Sequence, residues 1–149
     1  GCAGACGSSS LTPAQFTNGL DGLPDLPNGP RVGAVGDCRG GRLAFMTAAL
    51  FPDRVAAAAS YHPGGLVSDG ANSPHLLASK IKAKVYIGAA KDDRSFDAAQ
   101  IKTFDQALTD AHVDHTLEAY DALHGWVPSD TPGQDAARTP QSDATQFAL

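Results

Sequence analysis

The 149-residue sequence predicts an α/β fold, a parallel sheet of about four strands with flanking helices. Three observations carry that expectation. Short β-rich runs at 31–36, 55–60, 84–87 and 116–120 alternate with helix-like segments. The first run, Val32-Gly33-Ala34-Val35, enters the tight turn Gly36-Asp37-Cys38-Arg39-Gly40 and then the helix-like Arg42-Leu43-Ala44-Phe45-Met46. The third and fourth runs each empty into a loop that holds a chemically capable side chain: Asp92-Asp93 after one, His124 after the other.

Each element has its own local justification. The helix behind the turn is expected over 40–51, stopped by Pro52. The second strand, 55–60, is unusually rich in Ala and exits at Tyr61-His62-Pro63-Gly64-Gly65. Residues 73–79 suit a short helical turn with Pro74 near its start. The clearest amphipathic helix is 97–112, with Ile101, Phe104, Leu108 and Ala111 on one face. A weak closing helix is expected over 135–149, interrupted by Pro140. No internal repeat is visible.

The chain divides at about residue 30. Residues 1–29 open with a Gly/Ala/Ser stretch without periodicity, which reads as a flexible leader. A poor helix follows at 15–26, weakened by Gly19, Gly22 and Pro24. Residues 30–149 hold the strands, the turn and both loops.

Composition bounds the function. Hydrophobic content of 42% is ordinary for a globular domain, and no apolar run approaches a membrane span. A formal charge of −5 argues against a nucleic-acid surface. The one basic cluster, Lys80-Ile81-Lys82-Ala83-Lys84, suits a solvated approach to a strand better than a phosphate patch. There is no signal-peptide h-region, and a working thiol must stay reduced, so the expected compartment is the cytoplasm. No metal and no cofactor is expected. Cys2 and Cys6 sit in a Gly-rich leader that makes a poor ligand frame, and His75, His112 and His115 lack convergent spacing.

The turn is where the chemistry concentrates. Gly36 and Gly40 stand two before and two after Cys38, so the backbone can fold sharply and lift the thiol out of the sheet. A Gly-rich turn around an inert buried thiol fits those five residues equally well. The order Cys38, Asp93, His124, each after a strand, favours a nucleophile with its acid and base. Asp92 is the one-residue rival for the acid.

The chain resembles the dienelactone hydrolase family of α/β-hydrolases from about Pro30 onward. The resemblance rests on Val35-Gly36-Asp37-Cys38-Arg39-Gly40-Gly41-Arg42-Leu43-Ala44 and Phe51-Pro52-Asp53-Arg54-Val55-Ala56-Ala57. Ser60-Tyr61-His62-Pro63-Gly64-Gly65, Asp93-Arg94-Ser95-Phe96 and the stretch from Tyr120 to His124-Gly125-Trp126 support it. It implies a Cys-Asp-His triad at Cys38, Asp93 and His124, with one oxyanion donor in the backbone N–H of Arg39; from their positions beside that site, Tyr61, His62 and Trp126 suit either a pocket wall or structural turn positions. The implied activity is hydrolysis of small carboxylic esters or lactones.

Departures from the family pattern are also legible. Asp37 stands where an aromatic is usual and Arg39 where an apolar residue is common. The acid disfavours a thiolate at Cys38 and the cation favours it. Trp126-Val127-Pro128-Ser129 lacks the Arg of members that bind a carboxylate-bearing lactone, which points away from dienelactone itself. The strands that normally precede the turn have no counterpart in 1–29, so the expected fold is a truncated α/β-hydrolase-like sheet. The second oxyanion donor belongs to that earlier part, and a weak hydrolase follows. A non-catalytic remnant that self-associates or serves as an assembly partner is the alternative. The uncovered edge of the first strand predicts a homodimer or higher homo-oligomer.

Overall fold

The computed structural model describes residues 31–128, 130 and 132–134. The leader and poor helix expected over 1–29 and the closing helix expected over 135–149 lie outside the described residues. Four parallel strands form one sheet in sequential order: β1 (Val32–Asp37), β2 (Val55–Tyr61), β3 (Lys84–Asp92) and β4 (His115–Leu123). Helix α1 (Arg39–Leu50) connects the first pair, and α2 (Ala98–Asp110) connects the last. Between β2 and β3 runs a single 3₁₀ segment, Pro74–Lys80, where a short helical turn was expected.

One face of the sheet carries the main core. Phe45, Ala48 and Ala49 of α1 and Phe104 and Leu108 of α2 are buried there, at the i, i+3, i+4 spacing of an amphipathic stripe. Val85, Ile87 and Ala89 alternate onto the same face from β3. Phe45 and Phe104 meet edge-to-face with ring centroids 4.9 Å apart, joining the two helices through the core, while each helix also packs against the segment between β2 and β3. The Ala-rich β2 is explained by this packing, since Ala58 lies fully beneath the helices where a larger side chain would force them off. Tyr61, Tyr86, Ala90, Ala122 and Trp126 form a smaller cluster on the opposite face.

The element ends differ from the sequence expectation in instructive ways. Helix α2 starts after Asp97, which caps it: Gln100 N–H donates to Asp97 Oδ1 at 2.9 Å and Asp97 N–H to Gln100 Oε1 at 3.0 Å. Strands β3 and β4 run to Asp92 and Leu123, past the expected ends at 87 and 120. Gly88-Ala89-Ala90 has little intrinsic β preference, but Ala89 and Ala90 pair with Ala119 and Tyr120, and the ladder overrides propensity. A register irregularity between Ala90 and Asp92 follows, and the chain leaves the sheet at Asp93.

Candidate active site

All four strands leave the sheet at their carboxyl ends beside one another, where parallel α/β sheets collect functional groups. Cys38 follows β1, His62 follows β2, Asp93 follows β3 and His124 follows β4.

Cys38 occupies a strained backbone position, φ 50° and ψ −119°, which side chains other than glycine rarely adopt. Its N–H donates to the Tyr61 carbonyl at 3.0 Å, and its own carbonyl accepts from Arg42 N–H at 3.3 Å. A Cβ on Gly36 would overlap the Gly40 carbonyl, so strand and helix can approach this closely only with glycine there. The turn thus has the sharp geometry that its glycine spacing implied. Arg39 is the first residue of α1, which puts its backbone N–H at the positive end of the helix, immediately after Cys38 in the chain.

Cys38 Sγ lies 3.1 Å from His124 Nε2, and His124 Nδ1 lies 2.6 Å from Asp93 Oδ2. The Asp93 side chain is 2% exposed and that of His124 33%. Burial pushes the Asp93 carboxyl upward, but hydrogen bonds from His124 and Ser95 outweigh it and hold the group below the usual carboxylate range. An ionised Asp93 makes Nδ1 the protonated nitrogen of His124 and turns the Nε2 lone pair toward the sulfur. Asp92 is the exposed last residue of β3. Asp93 is the acid that reaches His124.

Ser95 is a site residue that the sequence reading did not single out. Its N–H and Oγ both donate to Asp93 Oδ1, at 2.8 and 2.6 Å. The Asp-x-Ser spacing of an Asx-type turn was the available signal.

His62 sits closer to the chemistry than a pocket border requires. Its Nδ1 is 3.3 Å from Cys38 Sγ, and its ring centroid is 5.0 Å from that of His124. Its backbone has φ 35° and donates its N–H to the Gly88 carbonyl at 2.7 Å. The side chain is wholly buried, and Nε2 has no hydrogen-bond partner among the described residues. Burial, and secondarily the charge of His124, push its pKa down to about 4, so the ring is neutral at pH 7.

Tyr61 and Trp126 are buried behind His62, with ring centroids 6.2 Å apart. Tyr120 packs at a tilt against Trp126, with ring centroids 4.6 Å apart. Tyr86 and Tyr120 hydroxyls both donate to Glu118 Oε2, at 2.7 and 2.8 Å, which anchors this aromatic group from the far side. His75 and His115 pair with Ser73 Oγ and Asp105 Oδ1. The sulfur of Cys38 and one nitrogen each of His62 and His124 all lie within 4.8 Å of one another. Their separation along the chain hid that convergence.

A sequence profile described as the dienelactone hydrolase family matches residues 14–148. The chain belongs to that family. The match begins inside the segment read from sequence as a leader and poor helix. Solved structures similar to this dienelactone hydrolase family member show the α/β-hydrolase fold. A candidate dienelactone hydrolase from Klebsiella pneumoniae subsp. pneumoniae superimposes with a TM-score of 0.79 at 23% identity, over 91% of this chain and 60% of its own. A dienelactone hydrolase-like promiscuous phosphotriesterase from metagenomic libraries gives 0.72 at 23% identity, over 90% and 58%. Pyrococcus horikoshii acylaminoacyl peptidase gives 0.68 at 17% identity, over 90% and 27%. The chain therefore spans about three fifths of the length of the first two. No curated protein sequence matches it.

Proposed function

We propose that this family member is a hydrolase of small carboxylic esters or lactones that works through a cysteinyl thioester. The observation that carries the reading is the continuous relay from Cys38 Sγ through His124 to Asp93, at 3.1 and 2.6 Å. Both distances are of hydrogen-bond length for their atoms, and nucleophile, base and orienting acid stand in working order.

In this mechanism His124 Nε2 takes the Cys38 proton, and the thiolate attacks the carbonyl carbon. Charge collects on the carbonyl oxygen, where the Arg39 backbone N–H at the start of α1 is the donor. Collapse breaks the ester C–O bond, and His124 returns its proton to the leaving alcohol. Water then attacks the thioester with His124 as base, releasing the acid and the Cys38 thiol. Asp93, pinned by Ser95, holds the imidazole tautomer throughout. Tyr61, His62 and Trp126, expected from sequence to border the pocket, are buried and form the layer that backs the relay. Catalysis through a free thiol suits a reducing compartment such as the cytoplasm. Among the described residues, no helix is long and apolar enough to cross a membrane. The relay geometry favours this reading over a non-catalytic assembly partner.

The deciding experiment is pre-steady-state hydrolysis of an activated ester such as p-nitrophenyl acetate. A burst of alcohol stoichiometric with protein, absent in Cys38→Ala, is expected. Equal slow release by both proteins would overturn the reading.

A further inference from the structure

We propose that Cys38, His62 and His124 form a three-ligand site for a thiophilic divalent cation, zinc in the first instance, at the mouth of the relay. A thiolate and two imidazoles are a donor set that zinc accepts, with the fourth position left to water. Donor atoms around a tetrahedral zinc, at bond lengths of about 2.0–2.3 Å, stand roughly 3.3–3.7 Å apart. Cys38 Sγ is already 3.1 Å from His124 Nε2 and 3.3 Å from His62 Nδ1. No pair among the three exceeds 4.8 Å, so closure needs a side-chain shift of only about 1 Å, within the reach of the partly exposed His124.

The surroundings prepare each ligand. Asp93 Oδ2 accepts from His124 Nδ1 at 2.6 Å, the carboxylate–imidazole arrangement that aims the other nitrogen of a histidine at a metal. His62 is wholly buried, and with Nε2 lacking a partner its polar contact is made on the Nδ1 side, toward the sulfur. The thiol must give up its proton to bind as thiolate, so binding one cation releases one proton to solvent. The bound metal occupies the sulfur and Nε2 together, removing nucleophile and base at once. His62 is what separates this site from a bare Cys–His pair.

The test uses the full chain without an affinity tag, titrated with Co²⁺ as a spectroscopic probe and with Zn²⁺ by calorimetry. A near-ultraviolet thiolate-to-cobalt band with visible tetrahedral bands, 1:1 stoichiometry and one proton released is expected. His62→Phe should weaken Zn²⁺ binding by at least about 100-fold, and Cys38→Ser should abolish the charge-transfer band. If His62→Phe fails to fold by circular dichroism, His62→Gln replaces it in the same titration. Wild-type protein with no such band, or undiminished affinity in the folded His62 variant, would overturn the proposal. The shutdown of the thiol rests on the proposed hydrolase reading. Zn²⁺ suppressing the ester burst, with recovery on chelation, is its readout. A chain that binds Co²⁺ through sulfur but shows no burst would sink the hydrolase reading and leave the metal site standing.

Discussion

Ser95 holds one oxygen of Asp93 with two hydrogen bonds, from its N–H at 2.8 Å and its Oγ at 2.6 Å, and leaves the other oxygen to His124. The carboxylate is thereby fixed in direction before the imidazole meets it. A buried carboxylate with both oxygens engaged cannot rotate to accept from elsewhere, so the base inherits a single orientation.

The first prediction separates the two neighbouring acids. Asp93→Asn should lower ester hydrolysis by about 10³–10⁴-fold, because the amide favours the wrong imidazole tautomer. Asp92→Asn, at an exposed position, should change it less than about twofold. Steady-state kcat/KM of both variants checks this, and a crippled Asp92→Asn would shift the relay by one residue.

The second concerns thiol reactivity. Cys38 faces two imidazole nitrogens within 3.3 Å, so it should be alkylated by iodoacetamide well before Cys2 and Cys6. Time-resolved mass mapping reads the order directly. Uniform labelling, or protection of Cys38, would contradict a primed sulfur.

The third is the acid limb of stability. The His62 pKa falls from an ordinary 6.5 to about 4 on folding, so the unfolded chain binds the extra proton first. Its contribution is therefore fully present above pH 6.5 and lost as pH falls from there to about 4, amounting to on the order of 3 kcal/mol. Asp93, also lowered on folding, acts in the same direction through the carboxylate range. Urea unfolding between pH 7 and pH 4 should show a steady fall, and His62→Phe should flatten the upper part. A wild-type profile without that fall would refute the assignment.

The fourth concerns the oligomeric state. β1 is the outermost of the four described strands, and Val35 on it is 55% exposed. We propose that two copies join through this edge in an isologous contact. Light scattering at micromolar concentration should return twice the 15.3 kDa chain mass. A stable monomer would show that the edge is covered within the chain.

The sequence by itself determined the architecture and the cast. Alternation of β-rich and amphipathic runs specified a parallel sheet, because burial of apolar periodicity is a local property that neighbouring residues already express. The glycines around Cys38 specified a sharp turn, because steric exclusion acts within five residues. Tertiary structure decided the rest. Whether Asp92 or Asp93 meets His124 depends on where the β3–β4 ladder lets go, and pairing rather than propensity sets that point. That His62 touches the sulfur depends on β2 lying beside β1, with the Cys38 N–H bonded to Tyr61 O one residue before it. Twenty-four residues separate Cys38 from His62 and 86 separate it from His124. Contacts across such distances are written in the hydrogen-bond register of the sheet, which no local pattern of side chains encodes.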